Sequence, residues 1–153
     1  MSVQPGDRAP DFTLDDQNHA PVRLSALWGK GPVVLFFYPK DFTPGCTAEV
    51  CAFRDAYEEF VKAGASVVGI SSQDAESKKA FAAKHQLPFT LVADQGGKVR
   101  EQFGVSASFL GLLDGRETFV IDRAGVVRHV FNSQINPTRH VKEALGVLEK
   151  LKA

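Results

Sequence analysis

The sequence predicts an α/β protein with a central mixed β-sheet flanked by helices, and three observations carry that reading. The apolar and aromatic run Val33-Val34-Leu35-Phe36-Phe37-Tyr38 lies between Gly31-Pro32 and Pro39, which is the pattern of a strand covered on both faces. Strands alternate with helices through the middle of the chain, and a hairpin pattern comes late, so the strand directions are mixed. A length of 153 residues suits a single domain over residues 1–153, since domains usually run to about 100–200 residues. With 44% hydrophobic residues, a chain of this size can bury a core without disulfide staples or a structural metal.

Each element follows from local chemistry. Residues 33–38 form the expected sheet centre. Thr43-Pro44-Gly45 then opens a helix, because threonine can cap exposed amides and proline at the first helical position has no hydrogen bond to lose. That helix is expected to run to about Lys62 and end near Gly64, with Val50, Phe53, Tyr57, Phe60 and Val61 on one face. Residues 66–71 read as a second buried strand, and residues 74–85 as a helix carrying Ala80, Phe81 and several charges. Pro88 and Thr90-Leu91-Val92 suggest a further strand, turned by Asp94-Gln95-Gly96-Gly97. Residues 117–121 and 126–131 flank Asp122-Arg123-Ala124-Gly125 as a hairpin. Asn136-Pro137 starts a last helix, in which Val141, Ala144, Leu145, Leu148 and Leu151 face the core. This order of elements is that of thioredoxin-like proteins.

Composition excludes several classes of function. Lys plus Arg (18) cancels Asp plus Glu (18), so no long-range field draws in nucleic acid. The longest apolar run is far shorter than the roughly 18 residues of a membrane span. The first residues carry Asp7, Arg8 and Asp11 and no apolar core, unlike a secretory signal, so a cytoplasmic protein is expected. His19, His85, His129 and His140 are scattered without metal-ligand spacing, and phosphate-cradling glycine motifs are absent. No metal or organic cofactor is expected.

Two cysteines remain, Cys46 and Cys51. Cys46 falls in the first turn of the predicted helix, where free amides and the positive helix end favour an anion. It shares a helical row with Val50, Phe53 and Tyr57, so its sulfur should point into a partly enclosed pocket. Cys51 lies on the more polar side, beside Asp55, Glu58 and Lys62. Ideal helix dimensions put the two α-carbons roughly 8–9 Å apart, beyond the limit of about 7 Å for a disulfide. Any bond between them therefore requires the helix to unwind, and such a bond would be easily reduced. Taken alone, Cys46 is equally a small buried hydrophobe, and Cys51 a surface residue without a role. Four residues separate the pair, which does not fit the Cys-x-x-Cys of thioredoxin-type oxidoreductases. Nor does the absence of proline from residues 105–136.

The stretch Phe36-Phe37-Tyr38-Pro39-Lys40-Asp41-Phe42-Thr43-Pro44-Gly45-Cys46-Thr47-Ala48-Glu49-Val50-Cys51 resembles the active-site segment of peroxiredoxins, and closely that of the bacterioferritin comigratory protein or peroxiredoxin Q branch. Pro39, Thr43 and Cys46 match the family's Pro-x-x-x-Thr-x-x-Cys, and Cys51 the branch's second cysteine. Gly6-Asp7-Arg8-Ala9-Pro10-Asp11-Phe12, Leu87-Pro88-Phe89 and Arg116-Glu117-Thr118-Phe119-Val120-Ile121-Asp122 are similar to other parts of the family; no motif residue is missing, and residues 106–115 are left unmatched in detail. The resemblance implies a thioredoxin-like fold with an N-terminal strand extension. It also implies reduction of hydrogen peroxide and organic hydroperoxides by Cys46, and resolution by Cys51 through an intramolecular disulfide.

On this resemblance, Thr43 would hold the thiolate and peroxide at reacting distance, and the amides of Gly45 and Cys46 would add donors. Pro39 would shield the sulfur. Arg116 becomes the candidate active-site arginine, with Glu49 able to orient it; Trp28 and Phe42 are expected to pack only. Thioredoxin or a similar dithiol is the implied reductant. Resolution within one chain makes a monomer sufficient, with a weak dimer compatible. A thiol sensor or adaptor is the rival reading, followed by a structural protein with inert cysteines.

Overall fold

A computed structural model describes residues 3–105, 116–132 and 139–152. Strands β1 (Thr13–Asp15) and β2 (Pro21–Arg23) pair antiparallel as a small separate sheet, which is the strand extension that the resemblance implies. A short helix α1 (Leu24–Trp28), not foreseen from the sequence, leads into β3 (Val33–Phe37). There follow α2 (Pro44–Asp55), α3 (Tyr57–Lys62), β4 (Ser66–Ser71), α4 (Ala75–His85) and β5 (Thr90–Ala93). A 3-10 turn (Gln95–Gly97) and α5 (Lys98–Phe103) precede the hairpin of β6 (Glu117–Ile121) and β7 (Val127–Asn132), and α6 (Arg139–Lys152) follows. The expected helix start at Asn136-Pro137 and the unmatched residues 106–115 lie outside the described residues.

The sheet order is β5-β4-β3-β6-β7, so the 33–38 run does occupy the centre. β3 runs parallel to β4 and antiparallel to β6, the mixed arrangement expected. Successive strand side chains point to opposite faces, and β3 separates the core accordingly. Val34 and Phe36 pack with Val50, Phe53, Phe60, Phe81, Ala144 and Leu148 from the helices on one side. Val33, Leu35 and Phe37 pack with Phe12, Leu24, Val99 and Phe103 on the other.

One expected helix is two. The helical path breaks at Ala56 (φ −96°, ψ 5°), and Val61, expected in the core, is 53% exposed. No proline or glycine marks the break. Tyr57 instead stacks near Phe89 and Phe60 near Phe53, so aromatic packing sets the direction of α3 where local propensity would have continued the helix. α5, which follows the expected turn at Asp94–Gly97, was not foreseen from the sequence; its ends are set by left-handed glycines, Gly97 (φ 72°) and Gly104 (φ 68°), conformations that glycine adopts without steric cost.

Candidate active site

The site grows from the end of the central strand. After β3, Tyr38 remains fully buried, and the chain turns through Phe42, whose left-handed backbone (φ 67°) is strained for an aromatic residue. Thr43 is extended (φ −83°, ψ 150°) and Pro44 is the first helical residue of α2. The position of Thr43 is that of a cap, but its side chain is not one: Oγ1 donates to the Lys40 carbonyl at 2.8 Å. The Thr47 amide donates to the Thr43 carbonyl at 2.8 Å. That leaves the amides of Gly45 and Cys46 as the first-turn donors without an intrahelical partner. Cys46 is fully buried and its thiol is free. It sits among Val50 and Phe53, the row that helical spacing predicts. Pro39 is half-buried at the strand end.

Register brings in the arginine. Phe37 pairs with Glu117 across β3 and β6, so Arg116, one residue earlier, stands beside the same strand end as Tyr38. Arg116 is buried at 4% exposure. Its Nη2 donates to Cys46 Sγ at 3.4 Å, and its Nη1 donates to Glu49 Oε1 at 2.6 Å. Glu49 lies one turn along α2 from Cys46 and is fully buried. Gly45 makes room for this contact, since a Cβ there would fall 3.1 Å from Arg116 Nη2. Burial opposes the guanidinium charge, but Glu49 and Cys46 outweigh it and hold the Arg116 pKa above its ordinary value. Burial pushes the Glu49 carboxyl up to about 8, with Arg116 acting against the rise.

Several residues of this site were invisible in the sequence. His140 of α6 is fully buried, with Nδ1 2.7 Å from Thr118 Oγ1 and 3.6 Å from Glu49 Oε2. Beneath the loop, Asp41 accepts from Tyr38 Oη (2.5 Å), Ser77 Oγ (2.8 Å) and Lys78 Nζ (3.0 Å). Lys78 also donates to Ser71 Oγ and is wholly buried. Burial pulls the lysine pKa down, against the pull of Asp41, and burial followed by Asp41 drives the Tyr38 pKa well up. A signal for Lys78 did exist, because it recurs with Ala75, Phe81 and Ala82 at three- and four-residue steps. Phe42, expected to pack, is 47% exposed, with its ring 5.0 Å from Phe81. Trp28 does pack: a Cβ on Gly125 would meet its ring at 2.8 Å.

Cys51 is half-buried, free, and packed against the edge of the helix-side core. Its Sγ is 3.8 Å from Nδ1 of His85, the last residue of α4. Both cysteines lie in one continuous helix, so the geometric bar to a disulfide stands as the spacing predicts. Among the described residues, no cluster of metal-ligating side chains occurs and no helix is long and apolar enough to cross a membrane.

A buried thiol at a helix start, held by an arginine from a neighbouring strand on a thioredoxin-like scaffold, defines a cysteine peroxidase class. The AhpC/TSA family model matches residues 5–130, and the chain belongs to that family. Peroxiredoxin Q of Sedum lineare, a chloroplastic protein, is 55% identical over 150 residues, covering 98% of this chain and 80% of its own. That of Arabidopsis thaliana is 54% identical over 147 residues, covering 96% and 68%. Among solved structures, peroxidoxin BcpB of Mycobacterium tuberculosis superposes with a TM-score of 0.92 at 42% identity, covering 99% of each chain. The Xanthomonas campestris bacterioferritin comigratory protein, studied for alkyl peroxide reduction, gives 0.86 at 28% identity, covering 100% of this chain and 99% of its own. These relatives put the chain in the peroxiredoxin Q branch, and it is a thiol peroxidase.

Proposed function

We propose that Cys46 is the sulfur that attacks hydroperoxides and that Cys51 resolves the product. The Cys46 thiolate forms a bond to one peroxide oxygen as the O–O bond breaks. The second oxygen leaves with the electron pair and takes a proton, giving water from hydrogen peroxide or an alcohol from an organic hydroperoxide. Cys46 is left as a sulfenic acid. The contact of 3.4 Å between Arg116 Nη2 and Cys46 Sγ carries this reading. A charged donor held in a water-poor site can stabilise both the thiolate and the charge growing on the departing oxygen.

The amides of Gly45 and Cys46 add fixed donors. Thr43, whose proton goes to Lys40, presents oxygen lone pairs to accept the peroxide O–H, so it positions substrate as an acceptor. Pro39 has no N–H and screens the sulfur. Cys51 then condenses with the sulfenic acid, and thioredoxin or a similar dithiol restores both thiols. Both cysteines lie on α2, so a monomer is sufficient, and a reducing compartment such as the cytoplasm suits a cycle that ends in two free thiols.

The test is peroxide consumption coupled to thioredoxin, its reductase and NADPH. Cys46→Ala should abolish turnover of hydrogen peroxide and of alkyl hydroperoxides. Turnover at the parent rate would overturn the reading.

A further inference from the structure

Resolution poses a proton problem that Cys46 does not share. Cys51 is the eighth residue of its helix, away from the free amides of the first turn. An ordinary cysteine thiol, with a pKa near 8.5, is only about one part in thirty ionised at pH 7. The thiol is a poor nucleophile toward a sulfenic acid, so a base beside Cys51 would matter.

We propose that His85 is the proton acceptor for the resolving thiol: its Nδ1 lies 3.8 Å from Cys51 Sγ at the end of the neighbouring helix, and it takes the thiol proton as the disulfide bond forms. The inference rests on the resolving role of Cys51 given above. The imidazole is fixed at its site. Its ring packs edge-on against Phe81 with centroids 5.2 Å apart, and the His85 carbonyl accepts from Arg54 Nη1 at 2.8 Å. That second contact ties α4 to the turn of α2 that follows Cys51. Phe53, fully buried and stacked on Phe36 at 4.3 Å, anchors the same turn. Unwinding of the earlier turn can therefore release Cys46 while Cys51 stays beside His85.

The charged groups facing the ring are Arg54 from α2, itself paired with Asp55, and Lys84 from α4. Partial burial, then these two cations, hold His85 below the usual histidine range. The ring is thus neutral at pH 7, with Nδ1 free to accept when the other nitrogen carries the hydrogen.

The chemistry balances with no further reagent. His85 Nδ1 takes the Cys51 proton. The thiolate electron pair forms the S–S bond to Cys46, and the S–O bond breaks. The departing hydroxide takes a proton from His85 and leaves as water. The Cys51 sulfur is oxidised, the Cys46 sulfur is reduced by the same amount, and the imidazole ends as it began.

The experiment follows Cys46 oxidation and Cys46–Cys51 disulfide formation separately, by rapid quench and mass spectrometry of the full chain after one equivalent of hydrogen peroxide, from pH 6 to 9. His85→Asn keeps a hydrogen-bonding side chain that cannot take a proton. It should slow disulfide formation by about 10²-fold at pH 7, the lower end of what a positioned general base supplies. The deficit should vanish toward pH 9. In His85→Ala, added imidazole should restore the rate in proportion to its concentration. Disulfide formation by His85→Asn with the parent rate and pH profile would overturn the proposal. So would a slowing by the same factor at every pH, because that marks lost packing. A parent chain that forms no Cys46–Cys51 disulfide would sink the resolving role itself, and this proposal with it.

Discussion

Around a single sulfur, the proposed chemistry turns on Arg116, which the sequence alone would have passed as an ordinary arginine before a strand. Its position became legible only through the family resemblance, on which Glu49 could already be read as orienting it, whereas His140, 3.6 Å from Glu49 Oε2, emerged only from the fold. Arg116→Ala should slow Cys46 oxidation by about 10²–10³, the usual cost of losing one donor to a developing charge. Gly45→Ala, whose Cβ would press on Nη2 at 3.1 Å, should produce a smaller loss of the same kind. Stopped-flow oxidation of both variants checks this, and parent-like rates would take Arg116 out of the chemistry. Glu49 gives a second prediction. Folding lifts its pKa from 4.5 to about 8, so the native state holds this proton more tightly than the unfolded chain between those values. Its contribution to stability is intact below pH 4.5 and lost progressively as pH rises toward 8. Glu49→Gln should flatten that decline, read as urea midpoints at about pH 5 and about pH 8; an equal fall in both proteins would clear Glu49 of responsibility.

Hydrophobic periodicity located most elements within a residue or two, because β3 and β4 bury the side chains that their pattern marks; in α4 Phe81 is buried as expected, whereas Ala80 is exposed. It failed where packing overrides local preference. The break at Ala56 lies in a good helix-forming stretch, and no residue type announces it. Buried polar residues were missed for a related reason: nothing in the sequence pairs Lys78 with Asp41, which the fold joins at 3.0 Å. The same element carries a mechanical requirement. A Cys46–Cys51 bond cannot form while α2 is helical at both positions, so oxidation should strip hydrogen-exchange protection from the amides of residues 48–51. Amides of β3 and β4 should keep theirs. Exchange measured on the reduced and disulfide forms would show this, and unchanged protection in α2 would mean that the bond forms some other way.

For the molecule as a whole, the prominent division is between a fixed part and a releasable one. The central sheet holds Arg116 through its antiparallel pairing with β3, whereas the sulfur rides on the first turn of a helix laid over one face. Since both cysteines belong to one chain, specific activity should be independent of protein concentration on dilution. Cys51→Ser should consume a first equivalent of peroxide and stall with thioredoxin, taking up further equivalents only as its Cys46 passes on to sulfinic and sulfonic acids; sustained turnover by this variant would transfer the resolving role elsewhere. The helix-turn seat of Cys46 has a final consequence. On the proposed cycle the Cys46 sulfur must quit its pocket for its second bond, so each strike dismantles the trap that held it. The enzyme would then be disarmed between reductions, and a second oxidant molecule could do harm only in the interval before that departure.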